Sequence, residues 1–265
     1  IDLGIVDLQP SELSKPLLIV VLAAFLAKRK ENPNQLMTLF LSGLLVAIPV
    51  VLIYWEPDLG TALVLMFIWV VMIFASGIRF LYLALIFGGG VAAIPFLWMS
   101  MADYMRRRVV TFISPASDPQ SYYNIQQALY AIGSGGWFGK GYLQGTQSQL
   151  HFLLVQHTDF VFAVLCEELG IDGALFLFVL LVAVLLRTLQ AARLARDTFG
   201  RLLCTGVAAW VFFQAMVNIG MNLNLLPVTG LPLPFVSYGG SSLVTLLAAM
   251  GLVQSVRLRH RKIEF

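Results

Sequence analysis

Apolar and polar positions follow one another along this chain in long blocks. Mostly apolar stretches run over 11–27, 37–55, 59–77, 80–101, 160–186, 202–223 and 238–256. Each is close to or above the roughly 17 to 25 residues that carry a helix through a hydrocarbon core about 30 Å thick. A chain in lipid has to satisfy its own backbone N–H and C=O groups, which an open sheet edge cannot do, so all seven stretches are predicted as helices. The stretch 160–186 is interrupted by Glu167, Glu168 and Asp172. Its first half therefore reads either as part of the span or as a separate helix at the surface or in a cavity.

Two of the intervening blocks are more than connections. Block 102–158, about 57 residues long, exceeds the usual length of a connecting loop. Its second half, "GSGGWFGKGYLQGTQSQ", sets Trp137, Phe138 and Tyr142 among glycines. That pattern predicts a compact, backbone-rich structure near the membrane interface, where aromatic side chains concentrate. As a phosphate-binding signal the glycines are weak, because no GxxxxGK[ST] pattern accompanies them. The stretch "NLNLLPVTGLPLPFVSYGGSS" (222–242) has no charged residue but three prolines and three glycines. Irregular backbone at membrane depth is stable only inside protein or along a cavity, so a re-entrant or cavity-capping segment is expected, with a purely structural role the equal alternative.

Composition supports this reading. Hydrophobic residues make up 59% of the 265 and charged residues 12%, and the mean hydropathy is +0.84. Soluble domains carry about a quarter charged residues, so the chain is predicted to be an all-α polytopic membrane protein. No nucleic-acid partner is expected. Cys166 and Cys204 lie in apolar runs and read as buried free thiols. Charge adds an orientation. Twelve of the 17 Lys and Arg residues fall on one side: Lys28, Arg29, Lys30, Arg79, Arg187, Arg193, Arg196, Arg201, Arg257, Arg259, Arg261 and Lys262. Basic loops prefer the cytoplasm. The C-terminus is therefore expected to be cytoplasmic, and residue 1 and the 102–158 loop extracytoplasmic. The chain begins at Ile1 without a signal peptide, and an outside start fits the absence of an odd number of preceding spans.

Ionisable residues at membrane depth are costly and point to function or to pairing. Glu12 and Lys15 are three apart on one helix face, either as an ion pair that fixes packing or as a pair lining a wet cavity. In "YWEPDLGTALV", Pro57 suits the first helical position and Asp58 the first turn, with capping the plain alternative to a cavity role. Arg106, Arg107 and Arg108 lie on the translocated side and suit lipid headgroups or an anionic ligand. Asp159 opens an apolar helix after a polar loop. It reads as a helix cap or as a carboxylate facing an outer cavity, with its pKa pulled down by the helix end and up by burial. His157 reads as its hydrogen-bonding neighbour, and Glu167 and Glu168 as secondary candidates with packing roles. Ser237, Gly239 and Gly240 offer hydroxyl or backbone donors.

The ordered motifs "QPSELSK", "EPDLGTA", "AIGSGGWFGKG", "GTQSQL", "HTDFVFAVLCEELG" and "GLPLPFVSYGGSS" resemble the SEDS family (shape, elongation, division and sporulation) from Ile1 to the end of the chain. "GTQSQL" and "GLPLPF" resemble its elongation (RodA) branch more than its division (FtsW) branch. One departure is Leu154, where many relatives carry Pro. The resemblance implies a single ten-helix transmembrane domain over 1–265, with its first three helices absent here and 102–158 as its large extracytoplasmic loop. It further implies a peptidoglycan glycosyltransferase of the bacterial cytoplasmic membrane. The implied substrate is lipid II, a disaccharide-pentapeptide on undecaprenyl pyrophosphate, and the implied partners are a class B penicillin-binding protein transpeptidase, the elongation machinery and membrane lipid.

Carried over by motif, the essential aspartate falls on Asp159, the Glu and Lys beside it in a central cavity on Glu12 and Lys15, and the arginines on Arg106 and Arg108. Asp58, Gln126, Ser134, Lys140, His157, Ser237 and Gly239 complete the candidate substrate-binding residues. On this reading Asp159 is a general base for the acceptor hydroxyl, and Arg106 and Arg108, with Lys140, stabilise the departing pyrophosphate. No cofactor is certain; Mg²⁺ or Mn²⁺ is compatible, although no ligand cluster shows in the sequence. The alternatives are a lipid II flippase or transporter, a division-type polymerase, and a scaffold that recruits a transpeptidase.

Overall fold

The computed structural model describes residues 9–29, 35–150, 152–153 and 157–259. Lys30, Leu154, Arg261 and Lys262 lie outside the described residues. Ten α-helices follow in order: α1 (Pro10–Lys28), α2 (Gln35–Trp55), α3 (Leu59–Ala75), α4 (Phe80–Ser100), α5 (Asp103–Ile113), α6 (Pro119–Gly135), α7 (Thr146–Gln149), α8 (Val161–Leu194), α9 (Thr198–Asn222) and α10 (Gly240–Leu258). A 3₁₀ turn, Pro115–Ser117, separates α5 from α6, and there is no strand among the described residues. Six of these helices (α1, α2, α4, α8, α9 and α10) are long and apolar enough to cross a membrane. The seventh expected span, α3, is apolar but has 17 residues, at the lower edge of a spanning length. Large apolar side chains on α2, α4 and α8 are exposed, as lipid-facing surfaces require.

The chain divides into two compact units. The first contains α1 to α4, the end of α8 from Leu185, the start of α9 to Phe213, and α10. Pro10 occupies the first turn of α1, where a missing N–H costs nothing. The face of α1 bearing Ile19, Leu22, Ala23 and Leu26 is buried with Leu65, Ile68, Met72 and Ile73 of α3. Trp69 Nε1 of α3 donates to Ser42 Oγ of α2 at 3.1 Å, which satisfies both polar atoms inside an apolar interface. Asp58 caps α3, its carboxylate accepting from Thr61 N at 2.9 Å. Pro57 therefore lies in the turn before the cap, not at the first helical position predicted for it.

The second unit contains α5 to α7, α8 up to Val184, and the segment from Gln214 to Gly239. The polar 102–158 block is largely helical, which its hydropathy does not reveal: α5, α6 and α7 all lie within it. Ala128 and Ala131 of α6 are fully buried with Leu153, Phe160 and Ala163. Phe162, Cys166, Leu177 and Leu181 of α8 form a neighbouring cluster with Ala215 and Leu233. Both cysteines are free and buried, as their apolar settings predict.

The interruption expected in 160–186 is real and has one cause. Gly170 lies inside α8 at φ 68°, ψ −163°, so the helix is broken there. A break leaves backbone groups without helical partners. The glycine-rich turn after α6 supplies them. Lys140 N and Gly141 N donate to the carbonyls of Glu167 and Glu168 at 3.0 Å each, while Ile171 N and Asp172 N donate to the carbonyls of Gly136 and Trp137 at 3.0 and 3.2 Å. The two backbones approach so closely that a Cβ on Gly139 would strike the Glu168 carbonyl, and one on Gly170 the backbone of Trp137 and Gly139. This is the backbone-rich structure that "GSGGWFGKG" predicts. Its aromatic residues, Trp137, Phe138 and Tyr142, are exposed.

Candidate functional site

The turn His157–Phe160 leads into α8. Asp159 sits on it half-buried, and its carboxylate bonds to the Thr158 side chain. A helix cap would accept from a backbone N–H of the first turn; the oxygen of Asp159 that engages neighbouring elements is instead its main-chain carbonyl. That carbonyl accepts from Nδ2 of Asn222 at 2.9 Å and of Asn218 at 3.1 Å, both on α9.

The segment after α9 closes over this turn. Ser237 Oγ donates to Thr158 O at 2.6 Å and accepts from Leu233 N at 2.7 Å. Tyr238 N donates to His157 O at 2.9 Å. Ser237 thus spends its hydroxyl on the backbone of the Asp159 turn. The proline-rich stretch is irregular over 223–239, and its Leu231 and Leu233 side chains are buried, the packed arrangement its composition implies.

Arg108 reaches the same place from α5. Its guanidinium stacks over Tyr104 at 5.4 Å, and Nη1 donates to Val228 O at 3.4 Å. Gly230 lies near both charged groups. A Cβ built there would lie 3.8 Å from Asp159 Oδ2 and 4.0 Å from Arg108 Nη1, and the glycine adopts φ +75°. Burial raises the Asp159 carboxyl above the usual aspartate value, against the pull of the Thr158 bond and of the Arg108 charge. A carboxylate of raised basicity beside a guanidinium is suited to taking a proton where an anion leaves.

The other predicted residues have different partners. Arg106 does not join Arg108: with Arg107, Asp103, Val110, Thr111 and Asp118 it lines a different cavity of about 510 Å³. Lys140 is engaged elsewhere too. Its Nζ donates to Glu167 Oε1 and to Thr146 Oγ1, each at 2.8 Å. Glu167 is fully buried and also accepts from Gln147 N at 2.9 Å and Ser148 N at 3.1 Å, so it latches the loop before α8 onto the helix. Ser134 returns its hydroxyl to Ala131 O within α6 at 3.0 Å, and Gln126 is exposed on the same helix. His157 is exposed and Gly239 half-buried at the entry to α10.

Glu12 and Lys15 belong to the first unit. They form an ion pair of 2.6 Å in α1, with Lys15 fully buried and 5.1 Å from the Trp210 ring centroid. The charge of Asp58 also acts on Lys15. Three site residues were not anticipated: Asn218, Asn222 and Gly230. The asparagines had a signal, since Gln214, Asn218 and Asn222 recur every four residues along an otherwise apolar helix. No group of three or more His, Cys, Asp or Glu suited to a metal ion occurs among the described residues.

Helices of spanning length, a broken helix splinted by a glycine turn, and a carboxylate–guanidinium site beside an irregular segment define a polytopic helical membrane protein with a polar site. The family model for the FtsW, RodA and SpoVE cell cycle proteins matches residues 1–262, and the chain belongs to that family. It is 44% identical to peptidoglycan glycosyltransferase MrdB of Escherichia coli K12 over 264 residues, 99% of this chain and 71% of that protein. Among solved structures it resembles a chain of a peptidoglycan synthase complex that coordinates polymerization and crosslinking. There the TM-score is 0.83 and the identity 33%, over 99% of this chain and 73% of that one. It also resembles the rod shape determining protein RodA of Thermus thermophilus, at TM-score 0.68 and 33% identity, over 99% and 69% of the two chains.

Proposed function

We propose that this protein is a peptidoglycan glycosyltransferase of the bacterial cytoplasmic membrane that polymerises lipid II during cell elongation. The observation that carries the mechanism is the meeting of Asp159 and Arg108 beside Gly230. The 4-hydroxyl of the acceptor sugar attacks the anomeric carbon of the donor. Its proton passes to the Asp159 carboxylate, the new glycosidic bond forms, and the bond from that carbon to the phosphate oxygen breaks. The electron pair leaves with undecaprenyl pyrophosphate, whose charge Arg108 offsets in a partly desolvated site. Arg106 and Arg107, in their own cavity, suit a second anionic group such as the other lipid's pyrophosphate or a headgroup. The described residues form no cluster of His, Cys, Asp or Glu that would hold Mg²⁺ or Mn²⁺.

The same reading puts the C-terminus in the cytoplasm and the Asp159 face outside, where lipid-linked sugar is presented. It takes a class B penicillin-binding protein as the transpeptidase partner, supported by likeness to a chain of a synthase complex. Elongation is favoured over division by "GTQSQL" and "GLPLPF" and by likeness to RodA. A lipid II transporter is the second reading, and the buried Glu12–Lys15 pair and the broken α8 are what favour it.

The test incubates the full-length protein and its partner with lipid II and resolves the glycan strands. Wild type is expected to polymerise, and Asp159→Ala to lose about 10²- to 10⁴-fold in rate, the usual worth of a general base. Polymerisation by Asp159→Ala at the wild-type rate would remove Asp159 from the chemistry. Transport of lipid II across vesicles by a wild type that makes no glycan would replace the enzyme with the transporter.

A further inference from the structure

Two buried amides hold the main chain at Asp159 from behind. Asn218 and Asn222 are one turn apart on α9 and both fully buried. Their Nδ2 groups converge on one oxygen, the Asp159 carbonyl, and fill both its lone pairs. The second hydrogen of the Asn218 amide goes to Leu231 O at 2.8 Å, the residue next to Gly230. Asn222 donates its second hydrogen to Asn218 O at 2.9 Å, and its Oδ1 accepts from Ala163 N at 3.2 Å. Both Nδ2 groups and Asn222 Oδ1 thus have partners, as polar groups in an apolar interior require, and Asn218 Oδ1 lies 3.4 Å from Asn222 Nδ2.

Part of this arrangement is ordinary structure. Ala163 N belongs to the first turn of α8, where N–H groups lack helical partners, and Asn222 satisfies it. That need does not account for two donors on a single carbonyl, nor for the amide shared between residues 159 and 231. What those bonds set is the distance between the turn bearing the carboxylate and the 230–231 backbone, beside which Asp159 and Arg108 both lie. Asp159 Oδ2 and Arg108 Nη1 both lie against Gly230, so a slip of the 230–231 backbone relative to residue 159 would move the two charges apart.

We propose that Asn218 and Asn222 are positioning residues for the transfer reaction, bolting the backbone of Asp159 to that of Leu231 so that the carboxylate stays beside Arg108 at the reacting sugar. The inference rests on the reading of Asp159 as the general base. Neither amide touches substrate; both act through Asp159. Displacements of about 1 Å in a catalytic group cost on the order of 10²-fold in rate.

Asn218 is the cleaner residue to change, because Asn222 also serves α8. Full-length protein with its partner, in liposomes with lipid II, is assayed for kcat, KM and the pH dependence of kcat/KM. Asn218→Leu keeps the volume and removes both donors; Asn218→Ala, also uncharged, serves if the leucine variant yields no folded protein. The expected result is a fall in kcat of about 10- to 100-fold with KM within about two-fold of wild type. The acid limb moves, because burial and the nearby Arg108 charge together set the Asp159 carboxyl, and both change when the turn is released. Loosened packing alone lowers the amount of active protein and leaves the acid limb in place. An unmoved limb, or kcat within two-fold of wild type, overturns the inference while leaving Asp159 as the base. Asp159→Ala at full activity overturns the base reading instead.

Discussion

Asp159 has two kinds of neighbour, and they act on different atoms. Asn218 and Asn222 hold its carbonyl, while Arg108 and burial set the charge on its carboxylate. The proposed base works in its ionised form, so activity is expected to fall as pH drops through the carboxyl's pKa. That pKa is raised by burial, which puts the acid limb above the ordinary aspartate value of about 3.9. Arg108 opposes the rise. Arg108→Gln is therefore expected to shift the acid limb of kcat/KM further upward, besides lowering the rate, and a pH series of lipid II polymerisation reads both. Gly230 gives a second expectation. Gly230→Ala brings a methyl into contact with both charged groups at a left-handed φ, so a loss of turnover with at most about 1–2 kcal/mol of stability is expected. Melting the variant and assaying it separates the two effects.

At the scale of elements, the hydropathy blocks carried most of the architecture because lipid demands long unbroken apolar helices. The interruption at Gly170 was legible from Glu167, Glu168 and Asp172, since three acids in a spanning run need either water or partners. What the blocks hid was the helical content of 102–158. The helices α5 and α6 are polar on one side and short on apolar residues, so a window tuned to membrane spans passes over them. The site was half legible. Asp159 stood out as a carboxylate at a helix start and through its family motif, whereas Asn218 and Asn222 vanish into a mean hydropathy that Phe212, Phe213 and Val217 keep high. Lys140 and Glu167 were read apart because 27 residues separate them, and only the fold brings them to 2.8 Å. The splint on α8 yields a paired prediction. Gly136→Ala meets open space, so its cost is that of a left-handed residue, about 1–2 kcal/mol. Gly139→Ala adds a clash with the Glu168 carbonyl and is expected to cost more, about 3 kcal/mol or above. Thermal unfolding of the two variants in one detergent gives the comparison.

For the whole molecule, charge inside an apolar body has to be matched, and the Glu12–Lys15 pair shows the consequence. Removing one partner leaves an uncompensated buried charge, which costs about 3–5 kcal/mol, while replacing both with neutral residues of similar volume is far milder. Glu12→Gln and Lys15→Met are thus each expected to lower the melting temperature, and the double variant to recover most of it. If that stable double variant still polymerises lipid II at the wild-type rate, the pair is a packing device; if it folds and is inactive, the pair also serves the reaction. The glycine splint has a bearing on how the chain is made. Residues 136–141 leave the ribosome before 167–172, so the splint closes only once the later segment has been made. A chain in which the two segments failed to meet would leave four backbone groups of the broken helix without partners, at several kcal/mol each in lipid. The splint therefore makes the meeting of loop and helix a condition for burying the broken helix.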